Sequence, residues 1–223
     1  MTAVAVFDLD GTLVDTPRGI VETFTAAFAA MGLDAPRPEA VRATIGLPLE
    51  RAFGSLMEVA PDSEQAAEGV RRYQALFREI VLPRAPELLF PGVADGLAGL
   101  QARGVVLTVA TSKFQASAEA LLTAAGIRDR FRVVVGADRV THPKPHPESG
   151  ELILRELDTP AGSAVMVGDT THDLLMARAC GMRSIGVTYG VHAEAELLTA
   201  EPTWLAHTFD EVLDHITAVP VGD

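Results

Sequence analysis

The sequence predicts an α/β fold: a three-layer, Rossmann-like core built on a parallel sheet, with an inserted all-helical domain. Three observations indicate this class: short runs rich in valine and isoleucine, segments of helical periodicity between them, and polar residues just after several runs. Near-continuous apolar strands suit a sheet that is buried on both faces. Strands that alternate with helices imply right-handed crossovers between parallel neighbours.

Five strands and four helices are expected in the core. The apolar runs lie at 3–7, 105–110, 132–135, 164–167 and 184–187. The helical segments between them lie at 94–103, 114–125, 147–157 and 171–180, and each places leucine, isoleucine or alanine at helical intervals. That spacing puts the apolar side chains on one stripe, which we expect to face the sheet.

The stretch from about residue 17 to 85 interrupts the alternation, because only helical periodicity is found there. Apolar residues recur at helical intervals in three groups, the first of which contains Ile20, Phe24 and Phe28. Pro17 and the segment LPRAPELLFPG at 82–92 bracket the stretch, and prolines end helices. We therefore expect a helical cap at 17–87, inserted into an α/β core formed by 1–16 and 88–223.

Composition and charge narrow the class of protein. The chain has 223 residues and a formal net charge of -12, whereas a nucleic-acid partner requires a basic face. Its one cysteine, Cys180, cannot form an internal disulfide, which suits a reducing compartment. No basic stretch opens the chain, and no apolar run approaches the roughly 18 residues of a membrane span. We expect a cytoplasmic monomer or homodimer with neither nucleic acid nor membrane as partner.

Polar residues follow the ends of the predicted strands. The first strand is followed by Asp8, Asp10, Gly11 and Thr12, and the second by Thr111, Ser112 and Lys113. The third is followed by Lys144, which lies between two prolines, and the fourth by Asp169 and Asp173. In an open parallel sheet, ligands bind beyond the carboxyl ends of the strands. These side chains are therefore candidates for one shared site.

The carboxylates in this group indicate a divalent cation. Asp8 and Asp10 are two apart on a strand, so both can face one cavity, where Asp169 would join them. Two like charges 4 Å apart repel by about 4 kcal/mol at an effective dielectric constant of 20. Such a cluster must be partly protonated or hold a cation, and an all-oxygen set of ligands suits Mg²⁺.

The remaining groups suit an anion with several oxygens. Thr111 or Ser112, neighbouring backbone N–H groups and the ammonium of Lys144 form a donor set of this kind. Phosphoryl transfer depends on positioning and on neutralisation of charge, and a carboxylate nucleophile can accept the phosphoryl group. A second carboxyl group nearby can protonate the leaving oxygen and then deprotonate water. Asp8 and Asp10 fit these two roles.

Four motifs, in order, resemble the signature motifs of the haloacid dehalogenase-like superfamily. They are FDLDGTLVDT at 7–16, TSK at 111–113, KPHPE at 144–148 and VGDTTHDLLMARACGM at 167–182. The resemblance covers nearly the whole chain, including a helical cap inserted after the first motif. It implies a parallel α/β core and an enzyme that uses an aspartate nucleophile.

The resemblance also implies a role for individual residues. Asp8 is the expected nucleophile and Asp10 the expected general acid/base, and Thr111 and Lys144 are expected to bind the phosphoryl group. Asp8, Asp10 through its backbone carbonyl, and Asp169 are expected to hold Mg²⁺, with Asp173 supporting them from the outer shell. Gly11, Thr12 and Ser112 lie within the same motifs and are further candidates for binding the phosphate.

Two further segments are similar to a narrower group of the superfamily. IGLPLERAF at 45–53 and GVTYGVH at 186–192 resemble members of the phosphoglycolate phosphatase type and the related pyrophosphatase type. Arg51, in the first segment, is a candidate substrate contact. The expected function is that of a Mg²⁺-dependent phosphatase, a phosphoric monoester hydrolase. It would act on a small phosphorylated metabolite, phosphoglycolate-like, through a covalent aspartyl-phosphate on Asp8.

Particular residues distinguish the expected phosphatase from other functions. A phosphomutase such as β-phosphoglucomutase keeps all four motifs and stays open as the alternative enzyme. A hydrolytic dehalogenase of the superfamily lacks the second aspartate, and a phosphonatase needs a cap lysine, whereas no lysine occurs between 17 and 90. A phospho-accepting receiver module is disfavoured by the Asp-x-Asp-Gly-Thr arrangement and by the helical insertion. His142, His146 and His172 show no spacing typical of zinc ligands.

Overall fold

The core of the protein is a six-stranded parallel sheet, seen in a computed structural model that describes residues 3–218. The strands are β1 Val4–Phe7, β2 Val106–Ala110, β3 Val133–Val135, β4 Ala164–Gly168, β5 Arg183–Val187 and β6 Trp204–Ala206, arranged in the order β3-β2-β1-β4-β5-β6. The five predicted strands are confirmed. The prediction missed β6, because three residues that include a tryptophan form too short a run to be recognised.

Ten α-helices accompany the sheet in the described part of the chain. They are α1 Pro17–Ala30, α2 Pro38–Arg42, α3 Leu49–Met57, α4 Glu64–Ile80, α5 Val93–Ala102, α6 Gln115–Ala124, α7 Glu148–Glu156, α8 Thr171–Cys180, α9 Glu194–Leu198 and α10 Phe209–Thr217. The four predicted core helices correspond to α5, α6, α7 and α8. None of the ten is long and apolar enough to cross a membrane.

Alternate residues of the central strand β1 enter two different hydrophobic clusters, which defines the three layers. Ala5 and Phe7 pack in the cluster that contains the apolar sides of α5, α6 and α10. Val4 and Val6 pack in the cluster on the opposite face, with residues of α7 and α8. The sheet is therefore covered by helices on both faces, as the unbroken apolar strands predict.

Helices α1 to α4 form the inserted segment around a buried aromatic group. The ring centroid of Phe24 lies 4.8 Å from that of Phe53 and 4.8 Å from that of Tyr73, and Phe28 stacks on Phe53 at 5.9 Å. These rings come from α1, α3 and α4, so helical periodicity in three separate stretches produces one core. A 3₁₀-helix at Leu82–Leu88 follows, where the sequence indicates only a proline-rich linker.

The two chain crossings between the core and the inserted segment run side by side. The backbone N–H of Asp15 donates to the carbonyl of Leu88 at 2.7 Å, and that of Phe90 donates to the carbonyl of Leu13 at 3.1 Å. These hydrogen bonds join the segment's entry to its exit. The division into a core of 1–16 plus 88–223 and a cap of 17–87 stays a prediction, and both of its boundaries fall at this paired crossing.

Candidate active site

The carboxyl ends of three adjacent strands bring the main candidate residues to one edge of the sheet. Asp8 follows β1, Thr111 follows β2 and Asp169 follows β4, and β1 lies between the other two strands. Ladder hydrogen bonding continues one residue beyond the strands, because the N–H of Asp8 donates to Val167 at 2.9 Å. The backbone at this edge is thus fixed by the sheet itself.

Lys144 is a buried lysine that joins two of the carboxylates. Its Nζ lies 2.8 Å from Oδ1 of Asp8 and 2.5 Å from Oδ1 of Asp173, and it donates to the carbonyl of Ala110 at 3.0 Å. An ammonium has three N–H donors, so these contacts use its full capacity. The side chain comes from the loop before α7 and reaches the site although that loop follows a different strand, β3.

Asp169 is held from two sides. Its Oδ1 accepts a hydrogen bond from the Thr12 hydroxyl at 2.9 Å, and its Oδ2 accepts one from the N–H of Val191 at 2.8 Å. Two glycines allow this close packing: a Cβ at Gly11 would lie 2.2 Å from Oδ2 of Asp169, and a Cβ at Gly190 would lie 2.3 Å from its Cβ. Gly11 also has a φ of +85°, a conformation that favours glycine.

Asp173 lies in the first turn of α8 and also contacts Lys144. Its Oδ2 accepts hydrogen bonds from the N–H and the hydroxyl of Thr170, at 3.1 and 2.7 Å, which satisfies donors at the start of the helix. Its Oδ1 takes the ammonium of Lys144. Both carboxylate oxygens are therefore occupied by protein donors, and Asp173 serves both the helix start and the site.

Burial and mutual repulsion perturb the charges of this group. Burial raises the pKa of Asp8 to about 7, with a further contribution from Asp173, against the lowering effect of Lys144. Burial also holds the pKa of Asp169 well above its usual range, and the charges of Asp8 and Asp173 act in the same direction. For Lys144, burial alone would lower the pKa, but the carboxylates of Asp173 and Asp8 outweigh it and raise the pKa above its ordinary value.

Asp10 points away from the cluster of Asp8, Asp169 and Asp173. Its Oδ1 accepts a hydrogen bond from the Thr16 hydroxyl at 2.6 Å, and its Oδ2 lies 3.0 Å from Nζ of Lys113. Asp8 and Asp10 nevertheless line the same cavity, of about 50 Å³, between the sheet edge and the helical segment. The cavity is thus bounded by two carboxylates on one side and by the inserted helices on the other.

The sequence is similar to known proteins over most of its length. A family model described as haloacid dehalogenase-like hydrolase matches residues 5–187. The chain belongs to this family. It is 54% identical over 213 residues to the protein named probable phosphatase IndB of Dickeya dadantii, covering 96% of this chain and 93% of that one. It is 34% identical over 212 residues to the phosphoglycolate phosphatase of Yersinia pseudotuberculosis, covering 94% and 91% of the two chains.

A solved structure supports the same assignment at the level of the fold. The haloacid dehalogenase-like hydrolase of Bacteroides fragilis superposes with a TM-score of 0.86 at 26% identity, covering 95% of this chain and all of that one. The family and the α/β fold expected from the motifs are confirmed. The expected enzyme class is confirmed as well, because the relatives of this hydrolase are named as phosphatases.

The donor set of the hydrolase fits Mg²⁺. Oxygens of Asp8, Asp169 and Asp173 all lie within 4.8 Å of one another, and carboxylate oxygens are the ligands that this ion prefers. Burial raises the pKa of Asp8 and that of Asp169, and a divalent cation would stabilise the ionised form of both carboxyl groups. Both oxygens of Asp169 and both oxygens of Asp173 already accept hydrogen bonds from protein donors, so this occupancy does not distinguish the two carboxylates as ligands.

The other residues expected from the sequence fall into two groups. Thr111 and Ser112 line the cavity, and the Ser112 hydroxyl donates to the carbonyl of Gly46 at 2.7 Å, joining the core to the inserted helices. Gly11 and Thr12 instead lie behind Asp169, where they position that carboxylate. Arg51 is exposed on α3 and faces a separate groove along the edge between the inserted segment and the core.

Sequence reasoning gave no specific role to two groups that the structure brings to the site, although it placed Lys113 among the side chains that follow the second strand. Lys113 reaches into the cavity, and its signal was the scarcity of lysine, since Lys113 and Lys144 are the only two in the chain. Gly190 and Val191 close over Asp169 from the loop after β5, within the segment GVTYGVH. No local pattern marks a backbone N–H as a ligand, so that contact could be found only in three dimensions.

Of the three histidines near the motifs, His142 and His146 belong to a group that is separate from the carboxylate cluster. His142 and His146 form an exposed group with Glu148, and one ligand atom from each lies within 4.8 Å of the others. The oxygens of Glu148 accept hydrogen bonds from the backbone N–H groups of Thr141 and His142, both at 2.8 Å. These bonds lower the pKa of Glu148 to about 2 and brace the loop that carries Lys144.

Proposed function

We propose that this hydrolase is a Mg²⁺-dependent phosphatase that cleaves a small, phosphoglycolate-like phosphate monoester through a covalent aspartyl-phosphate on Asp8. The observation that carries the proposal is the buried junction at Lys144, whose ammonium contacts Asp8 and Asp173 next to Asp169. These residues come from three separate motifs. Burying several carboxylates around one lysine costs free energy, and such clusters of perturbed titratable groups are typical of functional sites.

The first step of the proposed reaction is attack by a carboxylate oxygen of Asp8 on phosphorus. The oxygen–phosphorus bond forms as the bond from phosphorus to the leaving alcohol breaks. On substrate binding, Lys144 would exchange its hydrogen bond to Asp8 for one to a phosphoryl oxygen, and the Thr111 hydroxyl at the cavity edge would donate to another. When bound, Mg²⁺ held by Asp8, Asp169 and the backbone carbonyl of Asp10 supplies positive charge against the phosphoryl oxygens.

Asp10 moves the protons in this proposal. It gives a proton to the leaving oxygen in the first step and takes one from the water that attacks the aspartyl-phosphate in the second. The net result is alcohol and inorganic phosphate, with Asp8 and Asp10 restored. Its geometry supports this role, because its carboxylate faces the cavity and is aimed by the Thr16 hydroxyl at 2.6 Å rather than drawn into the carboxylate cluster.

The inserted helices support a small substrate. The cavity of about 50 Å³ has room for only a few water molecules, since one needs roughly 10–15 Å³ of this volume. Ser112 and Gly46 join the two sides of the cavity directly. In this proposal, movement of the helical segment would admit a substrate, and its return would exclude bulk water from the reacting groups.

Release of phosphate from p-nitrophenyl phosphate tests the reaction class. We expect turnover to require Mg²⁺, to stop on chelation, and to fall by orders of magnitude in Asp8→Asn. Asp15→Asn is the matched control, because Asp15 is an exposed carboxylate of the same motif and its loss should leave turnover unchanged. Near-normal turnover in Asp8→Asn would show that another group is the nucleophile.

Trapping of the covalent intermediate separates the two aspartates. In Asp10→Asn, a labelled phosphate ester should leave label on Asp8, because attack can occur while hydrolysis of the aspartyl-phosphate is slow. In Asp8→Asn, no label should remain on the protein. A panel of phosphorylated metabolites that includes phosphoglycolate and pyrophosphate would then define the substrate. Return of the phosphoryl group to a sugar, without release of phosphate, would indicate the mutase instead.

A further inference from the structure

Two histidines and one glutamate form a group on the loop that carries Lys144. One possible ligand atom from each of His142, His146 and Glu148 lies within 4.8 Å of the other two. The histidines are exposed, and each lies two residues from Lys144 along the chain. Their spacing in the sequence is not typical of zinc ligands, so the fold of the loop is what brings the three side chains together. The proposed reaction uses none of them.

The carboxylate of Glu148 lacks a fixed cationic partner. Within residues 3–218, the one ion-pair partner of Glu148 is the imidazole of His142, whose Nδ1 lies 3.0 Å from Oε2. No arginine or lysine in that range pairs with this carboxylate. Two acceptor atoms cannot lie 3.0 Å apart without a proton or a cation between them. A metal ion could therefore take the place of the proton between Nδ1 and Oε2.

The distances in the group fit Zn²⁺. Zinc binds imidazole nitrogen and carboxylate oxygen at about 2.0–2.2 Å, so a tetrahedral arrangement places its ligand atoms roughly 3.3 Å apart. Nδ1 of His142 and Oε2 of Glu148, at 3.0 Å, are close to that separation. A nitrogen of His146 lies within 4.8 Å of both ligand partners, and rotation of an exposed ring can close this gap.

The ring of His146 is held beside that of His142 in a form that can bind a metal. The two ring centroids are 4.6 Å apart, and Nδ1 of His146 accepts a hydrogen bond from the N–H of Glu148 at 3.3 Å. A ring nitrogen that accepts a hydrogen bond carries a lone pair, which a metal ligand requires. Imidazole suits Zn²⁺, whereas Mg²⁺ prefers an all-oxygen set such as the carboxylates at the sheet edge.

The backbone of the loop is organised before any ion binds. Residues 142–148 read HPKPHPE, so a proline follows each histidine and also Lys144. Each proline fixes its own φ at about −65°. The hydrogen bonds from the N–H groups of Thr141 and His142 to Glu148 tie the start of the loop to the start of α7. Little backbone entropy is therefore left to lose when an ion joins the three side chains.

We propose that His142, His146 and Glu148 form a second metal site, which selects Zn²⁺ over Mg²⁺ and is separate from the carboxylate cluster of the active site. Water would complete the coordination, since both histidines are exposed. The ion would bridge residues on both sides of Lys144 and restrict the loop that presents this ammonium to Asp8. The site does not depend on the proposed phosphatase function, because none of its ligands takes part in that reaction.

Isothermal titration calorimetry of the full chain with Zn²⁺, in excess Mg²⁺, tests the site. We expect His142→Gln, His146→Gln and Glu148→Gln each to weaken Zn²⁺ binding at least about tenfold, because losing even a residue that only orients a metal ligand has an effect of this size. Any binding of Zn²⁺ at the carboxylate cluster is common to all the variants and cancels in the comparison. Amide hydrogen exchange at 141–148 should slow with Zn²⁺ in the wild-type protein but not in His146→Gln.

His207→Gln is the matched control. His207 is also exposed, and its backbone N–H also donates to a glutamate, Glu211, at 2.7 Å. In the described part of the chain, however, His207 belongs to no group of three potential metal ligands, so this variant should keep the wild-type affinity. Thermal melts without Zn²⁺ establish that each variant is folded.

Three outcomes would overturn the proposal. The first is a wild-type protein that binds Zn²⁺ no more tightly than His146→Gln does. The second is an equal loss of affinity in His207→Gln, which would indicate general binding to surface histidines. The third is wild-type affinity in Glu148→Gln, because the carboxylate would then not be a ligand and the three-residue site would not exist.

Discussion

The affinity of this hydrolase for Mg²⁺ should fall at least about tenfold between pH 8 and pH 6. The perturbation is a change of pH alone, and the group that responds is Asp8, whose pKa burial raises to about 7 in the metal-free protein. A metal ligand must be deprotonated, so the ion has to displace this proton. About nine-tenths of Asp8 is ionised at pH 8 and about one-tenth at pH 6, which gives the tenfold ratio. The raised pKa of Asp169 acts in the same direction and makes ten a lower limit.

Isothermal titration calorimetry of the metal-free protein with Mg²⁺ at the two pH values measures this effect. Repeating the titration at pH 6 in buffers of different ionisation enthalpy counts the protons released, and we expect about one or more per ion. Asp8→Asn is the control, because its amide carries no proton for the ion to displace and its remaining pH dependence should come from Asp169. Equal dissociation constants at pH 6 and pH 8, with no proton released, would refute the assignment of Asp8 as a buried ligand that exchanges a proton for the ion.

Three further outcomes follow from the same site. The first concerns the free energy of unfolding of the wild-type protein, measured without metal and relative to that of Asp8→Asn. It should fall by up to about 4 kcal/mol as the pH rises from 4 to 7, because the pKa of Asp8 is 3.8 in the unfolded chain and about 7 in the folded protein. Urea unfolding at a series of pH values checks the sign, and a difference that rises or stays flat would contradict it. Asp173→Asn removes one of the two carboxylates that contact the buried ammonium of Lys144, and it should destabilise the protein by about 3 kcal/mol and reduce kcat. An unchanged urea midpoint would count against a stabilising ion pair. Gly11→Ala should raise the Mg²⁺ concentration for half-maximal activity at least about tenfold, because its Cβ would displace Asp169. Gly104→Ala is the control, because Gly104 also has a positive φ, of +81°, but has open space where a Cβ would lie, so this variant should only lower Tm. If both variants raise the required Mg²⁺ concentration equally, displacement of Asp169 is not the cause.

The class of fold follows from local patterns in this sequence. The apolar runs and the helical stripes between them are properties of neighbouring residues, so five of the six strands and the four predicted core helices could be found without knowing any long-range contact. Trp204–Ala206 could not, since it lacks the run of valines that marks β3 in the sequence, and its pairing with β5 is a tertiary contact. The 3₁₀-helix Leu82–Leu88 was missed for a similar reason: its prolines suggest a linker, and packing against the core decides its shape.

The residues of the candidate site are also largely visible in the sequence, because parallel strands bring their carboxyl ends to one edge. That rule groups Asp8, Thr111 and Asp169 before any coordinates are known. It does not tell which direction a side chain takes once the chain leaves the strand. The hydroxyl of Thr12, a predicted phosphate contact, donates to Asp169, and Arg51, a predicted substrate contact, lies exposed outside the cavity. Both roles stay predictions.

The sequence by itself determined the α/β class, the family and the residue types that gather at the sheet edge, since each depends on local order along the chain. Only the tertiary structure decided that Lys144 joins Asp8 to Asp173, that Asp10 turns away from them, and that Lys113 is buried opposite an apolar wall. The physical reason is that charge and burial depend on distances between segments far apart in the chain. An exposed lysine and a buried, ion-paired lysine are the same residue type in the sequence, and only the packing around the ammonium distinguishes them.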